Sequence, residues 1–169
     1  STVAGAAWEA RGANLWAEVD RYDQDHVVSR MDALVPDLPA GSPLGLFEQA
    51  SAYDSTGHPD QAVPLYQAAL GAGLEGSRRR QAVIQMASSV RNLGDPQAAV
   101  KLLTEEADRT SDDLDGAVAT FLALALVDVG REREAVARAL TAISKYLPRY
   151  NRSVARYAQE LTEPRSPDS

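Results

Sequence analysis

The chain has 169 residues, 44% of them apolar, with 24 acids against 17 bases and no cysteine. That length holds one compact domain or one short repeat array, and the apolar share supports a real core. The formal charge of −7 argues against general nucleic-acid binding, which rests on cations neutralising phosphates. Missing thiols exclude disulfides and thiolate metal sites, and no stretch approaches the roughly 20 apolar residues of a membrane span. The opening STVAGAAWEA lacks the basic and apolar regions of a signal peptide, so a cytoplasmic setting is expected. Lys101 and Lys145 are the only lysines beside many arginines and alanines, a composition associated with high-GC bacterial genomes. Alanine, leucine, glutamine and arginine are also good helix formers, and an almost wholly helical chain is expected.

Residues 1–42 read as a helical pair and a loop. Trp8, Leu15, Trp16 and Val19 would face inward from the first helix. A shift of 35 residues aligns Asp25 with Asp60, Val27 with Ala62, Met31 with Tyr66 and Val35 with Leu70, so the pair reads as a degenerate early copy of the later helix pairs. In the loop VPDLPAGSP, Ser42 is a candidate N-cap and Pro43 suits the first helical position. Next comes STGHPDQA, where Gly57 fits the end of one helix and Pro59 the first turn of another. The same grammar returns in NLGDPQAA, with Gly94, Asp95 as N-cap and Pro96, and in DVGREREA, with Gly130. Pro64, inside a second helix, should delay that helix or kink it. Pro148 stops the last repeat helix. Asn151 opens NRSVARYAQEL, with Val154, Tyr157, Ala158 and Leu161 on one face, and the polar TEPRSPDS comes after it.

The glycines are periodic. Gly57 and Gly94 lie 37 residues apart, and Gly94 and Gly130 lie 36 apart. A fixed period in the mid-thirties, with one helix pair per period, indicates stacked repeats, because no single pair can bury its own apolar face. Ala50, Ala87 and Ala123 stand seven positions before each glycine, and Ala62, Ala99 and Ala135 stand five after. Small side chains at such points let paired helices approach closely.

This pattern of small residue, apolar residue, glycine and alanine is similar to the tetratricopeptide repeat, whose usual period is about 34. The resemblance covers roughly Pro43 to Pro148. No repeat carries the usual tryptophan, and Tyr66 is the one surviving aromatic at its position. The longer string running from LFEQASAYDSTGHPDQA through RRRQAVIQMASSVRNLG to FLALALVDVGRERE resembles a bacterial family known as tetratricopeptide repeat group 5. The expected architecture is therefore an all-α, α–α superhelical solenoid. It has three repeats (43–76, 77–111, 112–148), a capping helix (149–163) and a disordered tail (164–169) beyond the N-terminal pair.

The resemblance implies a concave groove lined by the first helix of each repeat. The groove candidates are Phe47, Ser51 and Asp54, then Gln81, Ile84, Ser88, Arg91 and Asn92, then Thr120, Leu124 and Asp128. Serine, asparagine and arginine can donate to peptide carbonyls or a carboxylate, while Phe47 and Ile84 can receive an apolar side chain. Arg91 is the leading binding candidate, with structural pairing to Asp54 or Asp128 as its alternative. Chaperone-tail clamps of this family use lysine and asparagine where Phe47, Ser51 and Ala117 stand, so that specificity is not expected. Arg78, Arg79 and Arg80 open a helix at the unfavourable end of its dipole. They read as a solvated surface or as a grip on an anionic partner.

Other clusters have plain readings. DQDH (Asp23 to His26) fits an acidic helix start, His58 a turn, and Glu105 with Glu106 a helix end. Ser111, Asp112 and Asp113 fit a cap and first turn. GAGLEG lacks the lysine and strand of a phosphate loop, and no catalytic motif is present. No cofactor and no metal are expected. Charge is divided along the chain: residues 1–76 hold eleven acids and three bases, residues 131–157 two acids and seven bases. Such an asymmetry steers partners or favours head-to-tail contact; solubility alone is the plain reading. The expected function is non-catalytic protein or peptide binding through the concave face, without nucleic acid or membrane. Self-assembly, as a homodimer through the tryptophans or the opposite charges, is the alternative, and an enzyme comes third.

Overall fold

In the computed structural model, residues 3–17, 28, 29, 31, 32, 34–165 and 167 are described. Among them there are eight α-helices and no strand: α1 (Val3–Ala17), α2 (Pro43–Ser55), α3 (Pro59–Gly71), α4 (Gly76–Asn92), α5 (Pro96–Arg109), α6 (Asp115–Asp128), α7 (Glu132–Ser144) and α8 (Asn151–Glu160), with a 3₁₀ turn at Val35–Asp37. The helices pack in sequential pairs, as the periodicity predicts. DQDH and Val19 lie outside the described residues.

The junctions repeat at the level of single hydrogen bonds. Gly57, Gly94 and Gly130 all have φ between 80° and 96°, the left-handed region that a side chain makes costly. At the first junction the Gly57 N–H donates to the Asp54 carbonyl and the His58 N–H to the Tyr53 carbonyl. Asp95 donates to Val90 and Arg131 to Leu126 in the same way, satisfying carbonyls that a helix end leaves without partners. The residue after each glycine then starts the next helix: the carbonyls of His58, Asp95 and Arg131 accept from Ala62, Ala99 and Ala135. Those three alanines are buried, which is why the position takes only a small side chain.

The chain divides into two compact units, residues 1–89 and 90–169. In the first, α1 is tied down by its tryptophans. Trp8 is buried and its indole N–H donates to the Leu34 carbonyl. The Trp16 N–H donates to Glu48 Oε2 at 2.9 Å. Arg11 pairs with Asp37. Leu15, Met31 and Ala52 form a small core with Trp16, Val28 and Leu34 against it. The α2/α3 pair builds its own core from Phe47, Ala50, Ala62, Tyr66 and Ala69.

In the second unit α5 packs on α6, α6 on α7, and α7 on α8. Leu103, Val118, Leu122, Ala125, Leu126 and Ala135 are buried there. The Arg91 Nε–H donates to Asp128 Oδ2 at 2.5 Å, fixing the last turn of α4 to the end of α6.

Several local expectations need correction. Helix α3 starts at Pro59 and runs through Pro64 to Gly71, so Pro64 does not delay it; the ring sits on an exposed face, where water can take the freed carbonyl. Ser42 precedes α2 without a capping bond from its side chain. Asp95 does cap α5, its Oδ1 accepting from Ala98 N–H at 3.1 Å. Asp112 and Asp113 stand ahead of α6 rather than in its first turn: Asp112 Oδ1 accepts from Leu114 N–H, and Asp115 accepts from Ser111 and Asp112. On α8 only Ala158 is fully buried, and Tyr157 is exposed, so its apolar face is only partly used.

Candidate functional site

In the first unit a cleft of about 660 Å³ opens beside α2 and α4. Phe47, Ser51 and Asp54 follow the i, i+4, i+7 spacing that puts them on one face of α2, and Glu48 and Ser55 flank them. Ser77, Arg78, Gln81 and Gln85 line the cleft from α4, and Trp16 closes one side. A hydrogen-bonded group holds these helices together. The Ser51 hydroxyl donates to Gln85 Oε1 at 3.1 Å. The Tyr66 hydroxyl lies 2.8 Å from Asp54 Oδ2 and 2.9 Å from Gln85 Oε1. A phenol has one proton, and the charged carboxylate is the stronger acceptor. Burial of the Tyr66 ring, reinforced by the Asp54 charge beside it, holds the phenol far above its usual range. Tyr66 is thus a neutral structural donor.

The chemistry of the cleft is that of a polar seat on an apolar floor. Glutamine amides and serine hydroxyls both donate and accept, as peptide groups do. Glu48 and Asp54 are committed on one oxygen each, to Trp16 and Tyr66. The positive charge of Arg78 is offset by Glu9 at 3.3 Å.

The candidates named from sequence fall into different places. Phe47, Ser51, Asp54 and Gln81 meet in this cleft with Arg78. Ile84 is buried instead and is not among the cleft's walls. Ser88 is half-buried and Asn92 exposed on later turns of α4. Arg91 is engaged by Asp128, which gives the pairing alternative a concrete geometry. The arginine run splits: Arg78 faces the cleft, Arg79 is half-buried, and Arg80 is 2% exposed. Burial removes Arg80 from any surface grip. Sequence reasoning misses Trp16, Glu48, Ser55, Ser77 and Gln85 as cleft residues; the four-residue steps from Ser51 to Ser55 and from Gln81 to Gln85 are the available signal. Both tryptophans serve contacts within the unit, so neither is a free self-assembly surface.

In the second unit Thr120 and Leu124 line a different opening, a groove of about 720 Å³ between α6 and α7. Its walls are mainly apolar: Val127, Val136, Ala139, Ile143 and Tyr146. Helix α6 is apolar on nearly every face, the sequence mark of a helix with contacts on two sides, and that signal could have located the groove.

Among the described residues no cluster of three or more histidine or carboxylate side chains is placed to hold a metal, and no helix is long and apolar enough to cross a membrane. A family model described as Tetratrico peptide repeat matches residues 43–161. No curated protein and no solved structure matches the chain.

Proposed function

Because the chain belongs to the tetratricopeptide repeat family, generally a family of protein-interaction modules, we propose that it is a non-catalytic scaffold that holds a peptide segment of a partner protein. The first-unit cleft is the proposed seat, and the observation that carries the reading is its convergent polar wall. Ser51, Gln81 and Gln85 offer both halves of a peptide hydrogen bond over Phe47. The ligand is an extended peptide with a lysine or arginine. Glu48 and Asp54 line the seat, Arg78 is offset by Glu9, and residues 1–76 carry eleven acids against three bases. Complementary charge of this kind sets encounter rate and choice of partner more than raw affinity.

The test is fluorescence anisotropy of the full chain with labelled basic and acidic peptide pools, repeated with Ser51→Arg, which fills the cleft and adds a positive charge beside Glu48 and Asp54. The expected result is retention of basic peptides by the parent, weakening in high salt, and a loss of about tenfold or more in the variant. Equal retention by parent and variant overturns the proposal.

The divided charge supports a second reading, head-to-tail self-association. Light scattering at low and high salt separates the two: a dimer that dissolves in high salt and ignores added peptide favours self-association.

A further inference from the structure

Building on the reading of the first-unit cleft as the seat of a basic peptide, we propose that this cleft selects arginine over lysine through Trp16 and Glu48. Trp16 belongs to α1, which lies outside the residues 43–161 matched by the family model, so the indole is this chain's own addition to the wall of a repeat. It is half-buried, packs against the core of Leu15, Met31 and Ala52, and borders the cleft. Its N–H donates to Glu48 Oε2 at 2.9 Å. An indole N–H lies in the ring plane, so this bond sets the carboxylate at the ring's edge, within reach of a group stacked on the ring's face. Helix α1 is held at three further points: Trp8 on the Leu34 carbonyl, Arg11 on Asp37, and Glu9 on Arg78. The ring and its carboxylate are thus in place before a ligand arrives, which lowers the ordering cost of binding.

Two acids and one base border the cleft. The base, Arg78, is offset by Glu9. Glu48 and Asp54 are each engaged on one oxygen, by Trp16 and Tyr66, which leaves each a second oxygen for a ligand. The hydroxyl protons of Ser51 and Tyr66 go to Gln85 and Asp54, within the wall itself. The ligand group that fits is therefore a cation rich in donors that also lies flat on an aromatic ring. A guanidinium has both properties: it is planar, weakly hydrated and stacks on rings, and its fork of N–H groups pairs with a carboxylate through two bonds. An ammonium is compact and strongly hydrated, so it loses more water in reaching the same place. Phe47, on the floor of the cleft, suits the methylene stem that an arginine lays along apolar surface.

The experiment measures fluorescence anisotropy of the full chain with four labelled peptides that are identical and otherwise uncharged except at one position. That position holds arginine, lysine, trimethyl-lysine or citrulline. The arginine peptide is expected to bind about tenfold tighter than the lysine peptide. Trimethyl-lysine stacks but donates no hydrogen bond, and citrulline lacks the charge, so both should bind more weakly than arginine. Trp16→Leu should bring arginine and lysine to within about twofold of each other, and Trp16→Phe, which keeps a ring, should restore part of the preference. Glu48→Gln keeps an oxygen for the Trp16 N–H and loses the charge; it should weaken the arginine peptide about tenfold with the melting curve unchanged. Equal affinity of the parent for arginine and lysine overturns the proposal and leaves the basic-peptide reading standing. So does trimethyl-lysine binding as tight as arginine, a full arginine preference in folded Trp16→Leu, or unchanged arginine binding in Glu48→Gln. The parent and Glu48→Gln measurements decide the matter if Trp16→Leu does not fold. Binding of none of the four peptides overturns both this proposal and the reading of the cleft beneath it.

Discussion

The α2/α3 and α6/α7 hairpins share a backbone and differ in what their side chains do with it. Both turn at a left-handed glycine, and both close the turn with the same pair of amide–carbonyl bonds. At equivalent positions the first has Ser51, Asp54 and Tyr66, gathered into one hydrogen-bonded group with Gln85 of α4. The last has Leu124, Val127 and Ala139, facing an open groove. Junction chemistry fixes the hairpin; the residues between junctions decide whether the opening beside it is walled by polar groups or by apolar ones.

The largest break in that comparison is at Tyr66. Truncation in Tyr66→Ala removes a fully buried ring and is expected to cost about 3–5 kcal/mol by urea denaturation. At the equivalent place, Ala139→Tyr adds a ring to a wall of the open groove and should change stability by only about 0.5 kcal/mol.

The junctions, in contrast, should respond alike. A Cβ at Gly57 or Gly130 meets no neighbour, so Gly57→Ala and Gly130→Ala each cost the backbone penalty alone, about 1–2 kcal/mol. Unequal losses would mean that the two turns are not equivalent.

Titration sharpens the contrast further. The folded-state pKa of Tyr66 is raised, so above about pH 10 the unfolded chain loses a proton that the folded chain keeps. Stability from this group is complete below that pH and falls as pH rises, by about 1.4 kcal/mol per unit. In Tyr66→Phe that component of the alkaline slope should vanish from the parent's pH–stability curve.

A small effect is also expected at Arg91. Its pair with Asp128 is about one-third exposed on each side, where ion pairs contribute at most about 1 kcal/mol. Arg91→Ala should therefore shift the melting temperature little.

The sequence made the hairpins legible because their punctuation is local. A glycine, a proline or aspartate just after it and an alanine five residues on act through bonds spanning six residues. The groove was harder to read. Phe47, Ser51, Asp54 and Gln81, counted from the glycines, line one cleft, whereas Ile84, reached by the same count, is buried. Helical spacing names a face but not what lies against it. Arg80 was hidden for a related reason: charge predicts exposure unless a buried site is built for it, and such a site forms only on folding. The α6/α7 groove left a trace in the all-round apolarity of α6, but core and open groove carry the same residue types.

The absence of cysteine allows the central contrast to be measured directly. Ala50 and Ala123 occupy equivalent places; Ala50 is fully buried, and Ala123 is half-buried on the groove wall. Native-state thiol labelling of Ala50→Cys and Ala123→Cys, in otherwise unchanged chains, compares the two sites under one set of conditions. Protection at position 50 with prompt labelling at position 123 is the predicted result, and equal protection at both would contradict an open last hairpin.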